Sequence, residues 1–186
     1  MTNRGTRLIN SSRSEPMHEF WTFKNDRAFM KGLSTALDRV DPADRCGEAK
    51  RAYRIKEMQL LFRSGGFMSY FDSNASDDVL LVLDDLKEIG ALDSYSALKQ
   101  AIALFPTDID ITSYSDREEC ITNWMEADED EEGFVPIDRE MDPLSYQWDV
   151  ANDDLFLKFA NYARKHRGQF ESLHDQETGE GSADGD

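Results

Sequence analysis

The sequence lacks any long hydrophobic run. Its longest apolar stretches, such as residues 79–83 and 101–105, are five residues long, whereas a helix needs about 20 apolar residues to span a bilayer. The first sixteen residues are basic and contain serines, but the apolar stretch of about 7–15 residues that a secretory signal requires does not follow them. We therefore expect a cytoplasmic protein without a membrane span.

Cysteine and histidine are also scarce. The two cysteines, Cys46 and Cys120, lie far apart in the sequence, so no disulfide framework is needed and a reducing compartment suits the chain. The three histidines, His18, His166 and His174, share no zinc-ligand spacing with each other or with the cysteines. We expect no metal site and no cofactor.

Recognisable catalytic motifs are missing too. The sequence has no Gly-x-Ser-x-Gly elbow, and Gly65-Gly66 is not followed by the Lys-Ser/Thr pair that holds phosphates in a glycine-rich loop. Among the 38 acidic residues, no two stand out as an acid–base pair. The sequence predicts a protein that is not an enzyme, with catalysis kept as an alternative.

An acidic run at residues 126–132 comes closest to a metal motif. Asp128, Asp130, Glu132 and Gly133 fit the first six positions of a calcium-binding loop. The twelfth position holds Arg139 instead of the glutamate that would bind calcium through both oxygens. We therefore interpret the run as a solvated acidic surface.

Positive charge is scarce beyond residue 63. The chain has 21 Lys and Arg against 38 Asp and Glu, a net charge of −17. Residues 1–63 carry 13 basic and 8 acidic residues, whereas residues 64–186 carry 8 and 30. A field of this sign argues against direct binding to nucleic acid or to an anionic membrane. It favours a basic partner, although an acidic surface also serves solubility alone.

Apolar residues recur at three- and four-residue spacing through most of the chain, which predicts an all-α fold. We predict a single compact domain of about seven helices at residues 17–170, between a flexible N-terminal tail at 1–16 and a disordered acidic tail at 171–186. The second helix has apolar residues on more than one side, as a central helix would. The predicted helices cover about residues 29–40, 45–64, 67–71, 76–89, 93–105, 115–125 and 153–167, with connections at 106–113 and 133–143.

Glycine, serine and proline mark several of the predicted helix ends. Gly65-Gly66 is expected to break a helix, because only glycine adopts positive φ without a steric penalty. Ser76 is a predicted N-cap, and Ser115 with Glu118 forms a predicted capping box. Asp142-Pro143 is predicted to begin a helix, since proline suits the first turn.

Three short signatures, in register over residues 57–106, resemble those of a known family. Two positions depart from its pattern, Ser64 and the segment 75–77, and both are turn positions where residue types exchange readily. The signatures are Gly65-Gly66-Phe67 with Tyr70-Phe71 and Asn74, then Ile89-Gly90-Ala91, then Phe105-Pro106. In these signatures the chain resembles the bacterial DNA-mimic protein family.

The resemblance implies an all-helical domain that is often a homodimer. It also implies a function, which is to occupy the DNA site of a regulator with surface carboxylates that imitate phosphates. The expected partner is then a basic DNA-binding protein, such as a transcription regulator. The aromatic signature residues Phe67, Tyr70 and Phe71 are expected in the core rather than at the site.

Two groups of acidic residues are the candidate partner-binding site. Acids four residues apart on a helix lie about 6 Å apart along its axis, close to the spacing of successive phosphates. The alternative function is an immunity-type or generic acidic interaction domain that inhibits a basic toxin or effector without copying DNA. The first group is Asp77, Asp78, Asp84, Asp85 and Glu88, and the second is Glu126, Asp128, Glu129, Asp130, Glu131 and Glu132.

Overall fold

The computed structural model describes residues 19–171 apart from positions 42, 44 and 46, and in that part of the chain all regular structure is helical, as predicted. The predicted tail at 1–16, and residues 172–186 of the predicted C-terminal tail, lie outside the described residues. Across the described range, no helix combines the length and the apolar character that a membrane span requires. The helices are α1 (Asp26–Arg39), α2 (Gly47–Phe71), α3 (Val79–Glu88), α4 (Leu92–Ile102), α5 (Tyr114–Met125), α6 (Pro136–Lys165) and α7 (Arg167–Glu171), with short 3-10 helices at Glu19–Thr22 and Asn74–Asp78.

Helix α2 lies at the centre of the fold, which confirms the prediction of a central helix. It packs against α1, α3, α5, α6 and α7, while α4 packs along α6. Its buried side chains include Ile55, Met58 and Phe62. Burial of these apolar side chains against several neighbours at once is what stabilises the arrangement.

The predicted glycine break is present within α2. Gly66 has φ 66° and ψ −154°, a conformation that side chains with a Cβ rarely adopt. A Cβ on Gly66 would lie 2.9 Å from Oγ of Ser145 in α6. The backbone N–H of Phe67 donates to the same Oγ, at 3.4 Å. The break therefore lets α6 approach the backbone of α2 closely.

Aromatic side chains join the second half of α2 to its neighbours. Phe67, Tyr70 and Phe71 are fully buried, which confirms their predicted place in the core. Phe67 packs edge-on against Trp148 of α6, with ring centroids 5.7 Å apart. Phe71 packs in the same way against Phe105, which follows α4, at 4.9 Å. These contacts fix the position of α6 and of the chain that leads to α5.

The predicted helix start at Asp142-Pro143 is wrong, because a single helix, α6, begins at Pro136 and continues through both positions. Proline lacks the N–H that would bond to the carbonyl four residues earlier, so it weakens the helix there. Buried Ile137, Met141 and Trp148 lie on one side of α6 before and after the proline. Their packing outweighs the missing hydrogen bond, and α6 covers most of the predicted connection at its N-terminal end.

Two predicted helix caps also lie elsewhere. Ser76 is fully buried, and its hydroxyl donates to the carbonyls of Ser73 and Phe71, at 2.7 and 3.2 Å. Ser73 caps the 3-10 helix instead, because its side-chain oxygen accepts a hydrogen bond from the backbone N–H of Ala75. Helix α5 starts one residue before Ser115, and its N-cap is Ser113. In both cases a nearby serine takes the capping position.

Candidate partner-binding surface

The outer side of α3 carries part of the first predicted group. Asp84 and Glu88 are exposed one turn apart, which corresponds to about 6 Å along the axis. Exposed Lys87 lies beside Glu88 in the chain, and Leu80 and Leu81 are each 48% exposed. The predicted carboxylate stripe is therefore a mixed surface with two exposed acids.

Asp85 is not part of this surface, and its predicted place in the exposed carboxylate stripe is wrong. It is only 3% exposed. Its Oδ1 accepts from Arg51 Nε at 2.9 Å, and its Oδ2 accepts from Arg54 Nε at 2.8 Å. It lies three residues after Val82 and four before Ile89, so the helix turns it toward α2 at the edge of the apolar side. Asp85 joins α3 to α2.

The hydrogen bonds continue from Asp85 to α6. Arg51 Nη1 donates to both carboxylate oxygens of Glu48, at 2.6 and 2.8 Å, and also to the hydroxyl of Tyr162. Burial lowers the pKa of Arg51, but hydrogen bonds to Asp85 and Glu48 outweigh it and the pKa is raised. Burial and the hydrogen bond to Glu48 raise the pKa of Tyr162 to about 12. Arg51 is thus engaged inside the fold and does not offset the acids at the surface.

Asp77 and Asp78 lie at the end of the 3-10 helix that precedes α3. The Asp77 side chain is 47% exposed and accepts from Arg117 Nη2 at 2.7 Å. The charge of Asp77 is therefore compensated by Arg117. Asp78 is exposed and is not paired with this arginine.

Arg117 in α5 is the central residue that sequence reasoning missed. It is fully buried, and besides Asp77 it donates to three backbone carbonyls: Ile111 at 2.8 Å, Ser73 at 3.0 Å and Phe71 at 3.1 Å. Those carbonyls belong to the end of α2, the following turn and the segment before α5. A signal was present, because Arg117 occupies the first position of an i, i+3, i+4, i+7 pattern that continues with Cys120, Ile121 and Trp124.

The second predicted group forms an exposed loop between α5 and α6, organised around Asp130. Its Oδ1 accepts from the backbone N–H groups of Glu132 and Phe134, at 2.9 and 3.0 Å. Its Oδ2 accepts from Nε and Nη2 of Arg139, at 2.9 and 2.6 Å, and Arg139 also binds the Glu132 carboxylate. Hydrogen bonds from the Phe134 backbone and from Arg139 lower the pKa of Asp130.

Arg139 thus binds the acids that resemble a calcium-loop motif in the sequence. Two acids of the loop, Asp130 and Glu132, are paired with it. Glu126, Asp128, Glu129 and Glu131 are exposed and form no ion pair within the described residues. These last four are the acids of the loop that remain available to a partner.

Helix α5 connects the two predicted groups. Arg117, which holds Asp77, lies near its start, and the loop follows Met125, about 12 Å further along the helix axis. Glu118 and Glu119 are exposed in between, and the first half of α6 exposes further acids after the loop. From the sequence, Glu118 is predicted only as part of a capping box, and the start of α6 is predicted to be a connection. We define the acidic surface as Asp78, Glu118, Glu119, Glu126, Asp128, Glu129, Glu131, Glu140 and Asp142.

The stretch of chain that supplies most of this surface carries charge that is nearly all of one sign. Residues 100–157 contain 17 Asp and Glu but only two basic residues, Arg117 and Arg139. Arg117 is buried on Asp77, and Arg139 is bound to Asp130 and Glu132. No other basic residue of this stretch is present to neutralise the acidic surface.

The described histidine and cysteine side chains lie in packed surroundings. Over the described part of the chain, no group of three or more His, Cys, Asp and Glu is arranged to hold a metal ion. His166 stacks on the ring of Tyr162, with centroids 4.2 Å apart. Cys120 is buried, and burial raises the pKa of its thiol. His18, Cys46 and His174 lie outside the described residues.

Comparison with known proteins gives one match. No curated protein and no solved structure matches the chain significantly. A sequence model described as DMP19-like protein matches residues 46–166. The match covers more than half of the chain and includes the whole of α2 to α6, with the glycine break and the acidic loop. The chain therefore belongs to the DMP19-like protein family.

Proposed function

We propose that this protein, without catalysing a reaction, binds a basic DNA-binding protein such as a transcription regulator, with its exposed carboxylates in place of DNA phosphates. The observation that carries the proposal is the charge of residues 100–157, where 17 acids accompany two arginines that are both already paired. Membership of the DMP19-like family supports it, because the resemblance to DNA-mimic proteins implies the same role.

The physical basis is the response of a DNA-binding surface to negative charge. Such a surface is rich in Lys and Arg, and it releases counterions when it meets closely spaced anions. The acidic surface offers nine exposed carboxylates, and Asp84 with Glu88 adds a pair spaced by about 6 Å along the helix axis. We expect fast association that slows as salt is added, since salt screens the attraction.

A second candidate function is inhibition of a basic toxin or effector by an immunity-type domain that does not copy DNA. The row predicted on α3 is interrupted, because Asp85 is buried and Asp77 is paired with Arg117. A surface that only complements positive charge does not need a regular row. This observation favours the second candidate over strict mimicry on α3.

An affinity capture separates the two candidates. The full chain is immobilised, host lysate is applied at low salt, and bound protein is eluted in parallel with duplex DNA and with a salt gradient. Release of a discrete DNA-binding protein by DNA supports mimicry, because a mimic shares the DNA site of its partner. Release of a basic protein by salt alone supports the second candidate, and capture of nothing specific contradicts both.

Charge variants then test which acids make the contact. Glu129→Gln with Glu131→Gln removes two charges from the acidic surface and leaves Asp130, which organises the loop, in place. We expect weaker binding of the captured partner and a shallower dependence on salt, because fewer charge contacts form. The control, Asp41→Asn with Asp93→Asn, removes two exposed charges outside this surface and outside residues 100–157. Equal effects of the two double variants would contradict a specific role for the loop.

The α3 acids need their own pair of variants. Asp84→Asn with Glu88→Gln removes the exposed acids and keeps Asp85, so the hydrogen bonds to α2 remain. A loss of binding comparable to that of the loop variant would extend the contact to α3. Unchanged binding would limit the contact to the acidic surface.

We further propose that the protein is a homodimer, as the resemblance implies. Sedimentation equilibrium of the full chain measures this directly. A single species with the mass of one chain, 21.3 kDa, at micromolar concentration would contradict it.

A further inference from the structure

A cavity of about 590 Å³ lies between α1, α2 and α6, and no residue of the acidic surface lines it. Its floor is apolar and includes the buried side chains Met30, Leu33, Leu37 and Phe159. Sites for drug-sized ligands occupy about 300–1,000 Å³ and are mostly apolar with a few polar groups. This cavity has the size and the floor of such a site.

The rim of the cavity is basic. Arg27, Lys31 and Arg63 are exposed along it, and within the described residues none of the three forms an ion pair. Lys56 also lines the cavity and is paired with Asp38. No acidic side chain is found among the described residues that line it. In a chain with a net charge of −17, a rim of this composition favours an anion.

A second cavity of about 530 Å³ shares Asn25, Arg27, Arg63 and Phe156 with the first, and its lining also includes Asp26, which is paired with Arg164. The two arginines therefore lie where the cavities meet. Gln59 of α2 lines the first cavity and donates to Asn152 of α6, which lines the second, at 3.2 Å, so the two helices are tied together there. The result is an elongated groove with a fixed wall, an apolar floor and cations near its middle.

We propose that this groove binds a small amphiphilic anion, whose apolar chain lies on the floor while its carboxylate or phosphate head meets Arg27, Lys31 and Arg63. Asp142 of the acidic surface lines a further cavity together with Arg63, but no residue of that surface lines the groove itself, and the proposal does not depend on the proposed function. Guanidinium groups suit such heads, because they donate two parallel hydrogen bonds to a carboxylate or phosphate.

The volume favours a small molecule over a protein segment. One turn of α-helix with its side chains is about 10–12 Å wide and 5.4 Å long, which corresponds to about 400–600 Å³. The first cavity holds no more than one such turn. An extended alkyl chain, by contrast, is thinner than a helix and fits within this volume.

Calorimetric titration of the full chain with three ligands of equal chain length tests the proposal. Decanoate carries the negative head, decanol a neutral one and decylammonium a positive one. We expect saturable binding of decanoate, weaker binding of decanol and the weakest binding of decylammonium. Equal affinities for all three, or the absence of saturable decanoate binding, would overturn the proposal.

Two pairs of variants locate the site. Arg27→Gln with Arg63→Gln is expected to weaken decanoate about tenfold and to leave decanol unchanged, because only the head loses its partners. Its control, Arg39→Gln with Lys50→Gln, removes two exposed charges that do not line the groove. If both double variants weaken decanoate binding equally, the effect comes from the overall charge of the protein, and the proposed site is wrong.

The second pair of variants tests the apolar lining of the groove. Leu60 lines the groove and is 65% exposed, so Leu60→Glu introduces a negative charge there without disturbing the core. We expect it to abolish decanoate binding, whereas Leu92→Glu, at a leucine that is 59% exposed and outside the groove, leaves binding intact. If Leu60→Glu instead abolishes self-association and decanoate never binds, the groove belongs to a second copy and the proposal is wrong.

Discussion

Arg117 and Asp77 form an ion pair in which the cation is fully buried and the carboxylate is half exposed, with Nη2 and Oδ1 2.7 Å apart. The same guanidinium binds the carbonyls of Phe71, Ser73 and Ile111. A single side chain of α5 therefore holds the end of α2 and the turn before α3, and it reaches the surface through Asp77. The position of Asp77, and of the turn that leads to Asp78, depends on this interior contact.

Replacement of Arg117 is expected to destabilise the fold strongly. Arg117→Gln leaves buried backbone carbonyls without their donors, and each such loss costs about 1–3 kcal/mol. We expect the free energy of unfolding to fall by about 3 kcal/mol or more, measured by urea denaturation. The control Arg39→Gln, at an exposed arginine, is expected to change it by no more than about 0.5 kcal/mol. Similar values for the two variants would contradict the structural role of Arg117.

Two neighbouring acids on α3, Asp84 and Asp85, are expected to contribute very differently to the free energy of unfolding. Asp85→Asn removes the carboxylate that binds Arg51 and Arg54, whose side chains are partly exposed, so we expect a loss of about 2–3 kcal/mol in unfolding free energy. Asp84→Asn, one position away and exposed, is expected to change stability by less than about 0.5 kcal/mol. Equal effects in thermal or urea unfolding would show that Asp85 is not buried against α2.

The helical fold could be predicted because most of its signals are local. Apolar spacing located the central helix, and Gly65-Gly66 marked its break. The continuity of α6 could not be read in the same way, because proline is a local signal against a helix. What holds the helix together at Pro143 is the burial of Met141 and Trp148 against other elements, which a single sequence does not display.

The candidate site was only partly predictable for a related reason. An acidic residue in the sequence does not show whether its partner is solvent or an arginine of a distant element. Asp85 meets Arg51, which lies 34 positions earlier, and Asp77 meets Arg117, which lies 40 positions later. The acids of the loop differ too, since Asp130 is organised by Arg139 while Glu129 and Glu131 remain exposed.

The hydroxyl of Tyr70 gives a prediction of the opposite sign. It is buried and has no hydrogen-bond partner in the part of the chain that the structure describes, and burial raises its pKa. Tyr70→Phe keeps the ring in the core and removes an unsatisfied polar group, so we expect stability to be unchanged or increased by up to about 1 kcal/mol. A loss of more than about 1 kcal/mol in urea unfolding would show that the hydroxyl is bonded.

Tyr70→Ala provides the comparison for that variant. It removes the whole ring from a site beside Phe71 and leaves a cavity, which costs about 3–5 kcal/mol for large aromatic side chains. The difference between the two variants then measures the packing of the ring apart from the hydroxyl.

The Asp130 carboxyl is expected to titrate below the ordinary value of about 3.9. Backbone hydrogen bonds from Phe134 and the contact with Arg139 favour its charged form and lower its pKa. Because the folded pKa is the lower one, the stabilisation is present above the unfolded pKa and is lost as the pH falls through the folded pKa. Carbon-detected NMR titration of the side-chain carboxyls measures this. In Arg139→Gln the pKa is expected to rise but to stay below about 3.9, because the backbone donors remain. A full return to the ordinary value would contradict the backbone contribution, and no change would contradict the contact with Arg139.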